Sequence, residues 1–448
     1  MKIVIIGAGS TVFTPGLIAD LTTSRHFADA TVALVDINAE VAATMARYTE
    51  RVARERGVGL RVEYASDRRE VLAGADFVTV TIAVGGARAW EQDVRIPEAH
   101  GVWQTVGDSV GPGGVFRALR HVPELVAIAR DMEELCPDAW LFNYTNPLSA
   151  LVRAVHKTSS IKAAGLCHGV LHTREDIAHA LGVPHHELSV TVAGLNHLAW
   201  VLDMRHGGQD LYPAFRELQR GWLASPPPAT DGDPYEGFQE VSAWLMEIYG
   251  YYPSPGDRHV AEFFPFFLRQ ANGGLAYGTQ AGLDMTNRIL ASRDDRWDRI
   301  AAQAEGRAEL DRALFDEARE GERVVAIMEA ITTGQPLLEL AVNVRNDGLI
   351  ANLPREAVVE VPGLIDGRGV HGVGVGELPE GIANMLGARS RQQELTVDAA
   401  LTGDRQLALQ ALLADPLVPT VEAAAAMLDA ALSAHARFLP QFAAPSPA

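Results

Sequence analysis

Cys167 and His197 carry the most specific chemistry in this chain, because a thiolate and an imidazole can share one metal ion. Cys167 follows the apolar run AAGL and precedes His168-Gly169, placing a thiol at the carboxyl end of a strand, where α/β sheets hold their sites. His197, in GLNHLAW, stands in a comparable position just before another strand. Two protein ligands leave positions open for water and substrate oxygens, as a catalytic ion requires. The same pair also reads as a small buried hydrophobe and a satisfied core histidine.

A second constellation lies at the start of the chain. Gly7-Ala8-Gly9-Ser10 sits between a strand and a helix, where glycines let a pyrophosphate approach backbone N–H groups at the helix N-terminus. Val12 takes the place of the third glycine of the full fingerprint. Asp36 ends the next strand, ALVDI, and a carboxylate there accepts from a ribose 2′-OH and repels a 2′-phosphate, which favours NAD over NADP. Gly7, Gly9, Ser10 and Asp36 are therefore the expected cofactor residues.

Three further segments offer polar groups in apolar or glycine-rich settings. Asn146, in Asn143-Tyr144-Thr145-Asn146-Pro147, can fix hydroxyl groups with its amide or belong to an Asx-type turn. Asp108 is the single carboxylate of the glycine-dense stretch 107–114, which reads as a loop that is mobile or closely approached by a ligand. Arg88, after Val84-Gly85-Gly86, can clamp a polyol or carboxylate or form an exposed ion pair. Residues 251–259 gather Tyr252, Asp257, Arg258 and His259 between prolines and glycine, a density of titratable groups that suits acid/base work and equally suits aromatic packing with surface charge.

Short β-rich runs alternate with helical periodicity through the first third: KIVIIG, a helix from about Thr14 to Ser24, TVALVDI, a helix through about Arg56, then LRVEYAS and DFVTVTIAV. A helix near Ala118 to Leu135, the strand AWLFNY and then KAAGLC continue the pattern. The expected fold is α/β, an N-terminal Rossmann-like doubly wound parallel sheet over residues 1–193 followed by a second α+β domain over 194–448. From Gly194 the pattern changes to antiparallel strands around a Gly207-Gly208 turn. Residues 225–234 read as a loop, 285–335 as charge-rich helix, 341–376 as irregular and 419–438 as an Ala-rich helix.

Composition closes off other classes. The 448 residues are 48% hydrophobic and 21% charged, which is globular. A net charge of −19, with no basic run, argues against a nucleic-acid partner. No uncharged apolar stretch is long enough for a membrane span. Two cysteines, Cys136 and Cys167, cannot form a disulfide framework, and the opening residues read as a strand rather than a leader, so the expected compartment is the cytoplasm.

IIGAGS, QTVGDSVGPGG, YTNP, GLCHG, AGLNH, NDGLIANLP, VVEVP and TGDRQLALQALLADP, in this order along nearly the whole chain, resemble glycoside hydrolase family 4, the NAD- and divalent-metal-dependent glycosidases. The resemblance implies that Cys167 and His197 coordinate the ion, commonly Mn²⁺, and that Asn146 and Arg88 hold the sugar. It further implies acid/base roles for Asp257 and Asp108, with Tyr252 and His168 as weaker candidates. We expect Asp257 to abstract a proton and His168 or Asp108 to assist the leaving group, while Arg258 or Arg117 could bind a C5 carboxylate. Cys-His-Gly after the strand is similar to the branch acting on unphosphorylated α-glycosides or α-uronides. Family members are dimers or tetramers, and the C-terminal helix could join such a contact or simply pack within its own subunit. A hydroxy-acid dehydrogenase of malate or lactate type is the competing expectation, because it shares the lactate/malate dehydrogenase-like cofactor fold.

Overall fold

The computed structural model describes residues 1–227, 237–271, 274–315 and 323–443. The stretch expected as a loop at 225–234 lies outside these from residue 228 onward. The first half builds strands β1 (Lys2–Ile6), β2 (Thr31–Val35), β3 (Arg61–Ala65), β4 (Phe77–Val80), β5 (Trp140–Asn143) and β6 (Lys162–Gly165). Between and after them run α1 (Thr14–Thr23), α2 (Ala39–Arg56), α3 (Arg69–Leu72), α4 (Gly86–Ala99), α5 (Gly111–Leu135), α6 (Leu148–Thr158) and α7 (Gly169–Leu181). The strands pair in parallel in the order β3-β2-β1-β4-β5-β6, the doubly wound arrangement expected.

The second half adds β7 (Leu188–Leu195), β8 (Leu198–His206), β9 (Gln209–Asp210), β10 (Tyr252–Ser254), β11 (Gln270–Ala271), β12 (Gly274–Leu275), β13 (Leu337–Arg345), β14 (Val358–Asp366) and β15 (Gly369–Gly372). Its helices are α8 (Tyr212–Ala224), α9 (Glu240–Tyr249), α10 (Asp257–Val260), α11 (Gly282–Ala304), α12 (Arg323–Thr333), α13 (Glu380–Thr402), α14 (Arg405–Leu413) and α15 (Val421–Ala434). Gly207 and Gly208 both take positive φ in the β8–β9 turn, as the sequence indicates.

The antiparallel strands continue the same sheet rather than forming another. β13 pairs with β6 where Asn343 faces Gly165, and the order runs on through β14, β7, β8 and β10. Gly194, where the sequence pattern changes, lies inside β7, so the antiparallel half begins at Leu188. One row of ladder partners crosses the whole sheet. It runs from Ala65 through Val35, Ile6, Val80 and Asn143 to Gly165, and on through Asn343, Glu360, Gly194 and Ala199 to Ser254. This row marks the carboxyl ends of the parallel strands.

Alternation along β1 shows how the layers form. Ile3 and Ile5 pack with Leu17, Ile18 and Leu21 of α1 and Met45 of α2, while Val4 and Ile6 join Phe116, Leu119 and Val122 of α5 on the opposite face. α5 begins at Gly111, earlier than expected, because Gly113 and Gly114 are close-packing residues in its first turn and not part of a mobile loop. A Cβ on Gly114 would lie 2.5 Å from the Ser109 carbonyl carbon, and one on Gly113 would lie 2.8 Å from the Gly107 oxygen. The stretch expected to be irregular at 341–376 instead contributes most of β13, all of β14 and β15. The C-terminal helix α15 packs on α4, α5 and α14 of its own chain. No helix among the described residues is long and apolar enough to cross a membrane.

Candidate active site

Asp108, His197 and His259 converge just beyond the carboxyl row, with their ligating atoms all within 4.8 Å of one another. Each arrives from a different element. Asp108 comes from the loop before α5, His197 from the two-residue turn between β7 and β8, and His259 from α10. His197 takes φ 66°, a left-handed conformation unusual outside glycine, and its side chain is buried. Strain retained at a buried histidine points to a site held for function. The His197 and His259 rings lie 3.9 Å apart between centroids.

Asp108 is the electrostatic centre. Its Oδ1 accepts from Ser109 Oγ at 2.8 Å and its Oδ2 from Asn146 Nδ2 at 2.8 Å. Burial alone would raise this carboxyl, but His197, His259, the Arg117 guanidinium and the Ser109 hydroxyl outweigh it and hold Asp108 at about 2. Arg117 Nε in turn donates to the Asn146 carbonyl at 3.0 Å. Asn146 therefore faces the cluster, while the Asx turn available to this segment is made by Asn143, whose Oδ1 accepts from Thr145 N at 3.1 Å. Burial lowers the proton affinity of both imidazoles, and the neighbouring His197 adds to the effect on His259.

The loop carrying Asp108 is clamped from outside. Glu262 Oε1 accepts from the backbone N–H groups of Thr105, Val106 and Gly107 at 2.9, 2.8 and 2.7 Å. Burial pushes the Glu262 carboxyl up to about 8 against those three donors.

Cys167 stands beside this cluster and not within it. Its Sγ accepts from Gly169 N at 3.4 Å and hydrogen-bonds the Asn196 side chain. Asn196 Nδ2 also reaches Glu360 Oε1 at 3.3 Å, and Asn343 Nδ2 donates to the same oxygen at 2.8 Å. Burial and the Glu360 carboxylate push the thiol up to about 12, and burial raises Glu360 itself to about 7.

The glycine loop after β1 is built as a cradle. Gly7 has φ 89°, and a Cβ there would lie 2.7 Å from the Thr81 backbone. On Gly9 a Cβ would lie 2.5 Å from Val41 Cγ1 and 2.7 Å from Asp36 Oδ2. Asp36 Oδ2 accepts from Gly9 N at 3.0 Å, and Ser10 Oγ accepts from Phe13 N at 3.2 Å. His168 packs against this segment, its ring 5.8 Å from that of Phe13 and 6.0 Å from that of Tyr144.

Other expected residues fall elsewhere. Asp257 accepts from Val241 N, Ser242 N and Ser242 Oγ at 2.7 to 2.8 Å, so its carboxylate caps α9, and burial raises it to about 6. Tyr252 belongs to a buried cluster with Phe215, 5.1 Å away edge-on, and its hydroxyl meets Ser242. Arg88 is exposed on the first turn of α4. Arg258 lies close enough to lower the proton affinity of both histidines. Ser109, Asn196, Glu262 and Glu360 are the site residues absent from the sequence-based set, and His259, named there only within the titratable segment 251–259, joins His197 and Asp108. His259 and Glu262 are three apart in DRHVAEF, a helical spacing that could have paired them.

With this geometry in place, comparison with known proteins is informative. The family 4 glycosyl hydrolase model matches residues 2–183, and that of the family 4 glycosyl hydrolase C-terminal domain matches residues 192–418. The chain is 33% identical over 445 residues to an alpha-galactosidase of Bacillus subtilis (strain 168), covering 98% of this chain and 99% of the relative. It is 35% identical over 438 residues to an alpha-galacturonidase of the same organism, covering 93% of each. A solved Bacillus subtilis structure assigned as a glucosidase superposes with a TM-score of 0.87 at 32% identity, over 96% of this chain and 99% of that one. This chain belongs to the family 4 glycosyl hydrolases, a family of glycosidases.

Proposed function

We propose that the chain hydrolyses unphosphorylated α-glycosides, an α-glucoside, α-galactoside or α-uronide of the galacturonide or glucuronide type, with NAD and Mn²⁺ as cofactors. The observation that carries this reading is the Asp108–His197–His259 cluster, set next to Asn146 beyond the carboxyl ends of the strands. The α-galactosidase and α-galacturonidase relatives support the substrate class.

The donors fit both groups. A carboxylate with two imidazoles suits a divalent first-row metal ion. His197 with Asp108 and His259 would hold the ion, and Cys167 is the further ligand that the family resemblance implies. Gly7, Gly9, Ser10 and Asp36 would hold NAD, in a loop where a Cβ on Gly7 would strike the Thr81 backbone and one on Gly9 would strike Val41 and Asp36, so the close turn requires glycine. When bound, NAD would take and return a hydride at sugar C3, and the metal would polarise the neighbouring sugar oxygens as a Lewis acid.

The chain's own groups divide the remaining work. The Asn146 amide, oriented by Asp108 and Arg117, fixes a sugar hydroxyl. Asp108 stays ionised at neutral pH and can accept a proton or hydrogen bond but has none to donate. Of the two candidates for leaving-group assistance, that favours His168, which packs against Phe13 and Tyr144. Asp257 acts as a positioning residue for α9 and the segment carrying His259, since its oxygens are committed to the helix start.

The test is a panel of nitrophenyl α-hexosides and α-uronides with NAD⁺, Mn²⁺ and a thiol reductant. Nitrophenol release without net NADH accumulation is expected. Stoichiometric NADH formation from a hydroxy acid would instead establish the dehydrogenase reading.

A further inference from the structure

His197 can ligate a cation only through a nitrogen that carries no proton, so its tautomer decides whether the site is ready. Its Nδ1 lies 2.8 Å from Ser109 Oγ. That hydroxyl has one hydrogen, and it points at Asp108 Oδ1, also 2.8 Å away. A carboxylate offers no hydrogen in return at neutral pH, so Ser109 must meet the imidazole with a lone pair, and Nδ1 must carry the imidazole proton. The other ring nitrogen, Nε2, is then left with its lone pair.

The loop holds Ser109 firmly in this place. Glu262 fixes the three preceding N–H groups, Gly107 turns with φ 66°, and Gly114 sits so close to the Ser109 backbone that no side chain fits between them. We propose that Ser109 is a positioning residue that sets the tautomer of His197, passing its own hydrogen to Asp108 and receiving Nδ1–H, so that Nε2 presents a lone pair to a divalent cation. This rests on the metal-dependent reading above. It places a hydroxyl between the carboxylate and the ligand histidine, where many metal sites use the carboxylate directly.

Two measurements test it. In metal-free, ¹⁵N-labelled protein, with His197→Asn used to assign the resonance, the His197 ring should show a protonated Nδ1, and Ser109→Ala should shift the population toward protonated Nε2. Titration of full-length protein with Mn²⁺ alone, followed by electron paramagnetic resonance, should show Ser109→Ala binding roughly 10- to 100-fold more weakly than wild type. Ser109→Thr, which keeps the hydroxyl, should restore affinity, and NAD affinity should be unchanged in both variants. A protonated Nε2 in the wild type, or Mn²⁺ affinity unaltered by Ser109→Ala, overturns the proposal. Failure of the wild type to bind Mn²⁺ would instead remove the metal-dependent reading, while the tautomer remains legible in the metal-free spectrum.

Discussion

Glu262→Gln should stabilise the protein, and more so as pH rises. Glutamine keeps Oε1, the atom to which the Thr105, Val106 and Gly107 N–H groups all donate, and it carries no ionisable proton. In the folded chain burial raises the carboxyl from 4.5 to about 8. Because the folded value is raised, the wild type is at its best below pH 4.5, and stability is lost as pH climbs through the interval to about 8, where the unfolded chain ionises freely and the folded one resists. Linkage puts this loss at about 1 kcal/mol at pH 5 and about 3 kcal/mol at pH 7, using roughly 1.4 kcal/mol for each pKa unit. For a chain of 448 residues the change of about 2 kcal/mol between those pH values corresponds to a relative shift of about 2 °C in the thermal midpoint. Thermal unfolding of metal-free wild type and variant, from pH 5 to pH 8.5, measures it. A gap that stays constant, or one that closes with rising pH, would show that Glu262 is ionised in the fold and would refute the reasoning.

Asp257→Ala removes the carboxylate from the start of α9 and should cost about 1 kcal/mol of stability while lowering kcat only a few-fold, whereas loss of a general base would cost roughly 100- to 10,000-fold, so a rate and a melting curve on one variant separate the roles. Gly9→Ala should leave the fold intact but weaken NAD binding roughly tenfold or more in a fluorescence titration, because the new Cβ displaces Asp36 from the Gly9 N–H. Arg120→Met leaves Asp93 buried without its two 2.7 Å guanidinium bonds and should cost about 3 to 5 kcal/mol in denaturant unfolding. It should also raise the KM for NAD, since Arg120 Nε and His121 Nε2 hold the carbonyl and N–H of Val84 after β4.

The parallel half was legible because its strands, the exposed edge strand β3 apart, are largely apolar on both faces and its helices carry their own stops. The helix expected from Thr14 to Ser24 and the one ending near Arg56 are α1 and α2, the latter closed by Gly57 at φ 68°. β13 and β14 were missed for a physical reason. β14 is largely buried and β13 only in part, both place a polar residue, Glu360 and Asn343, on the inner row beside Asn196, and β14 carries Pro362, so neither shows an uninterrupted apolar pattern. The glycines at 111, 113 and 114 were misread because spacing cannot tell a glycine required by a passing ligand from one required by the chain's own backbone. The grouping of His259 with His197 and Asp108 escaped because those partners are 62 and 151 residues away in sequence (259 − 197 and 259 − 108).

The unbroken row from Ala65 to Ser254 also sets where this chain can tolerate changes in length. His197 and His259 hang within a few residues of that row and Asp108 reaches it from the connection before α5, so residues inserted at the opposite ends of the strands, as in the turn at Gly207-Gly208, alter only the far rim. A deletion inside β13 or β14 is another matter. It would slide the strand by about 3.3 Å and turn Asn343 or Glu360 to the opposite face of the sheet. Natural variation in length should therefore fall in bands, frequent outside the ladder and rare along the two strands that fasten the halves together.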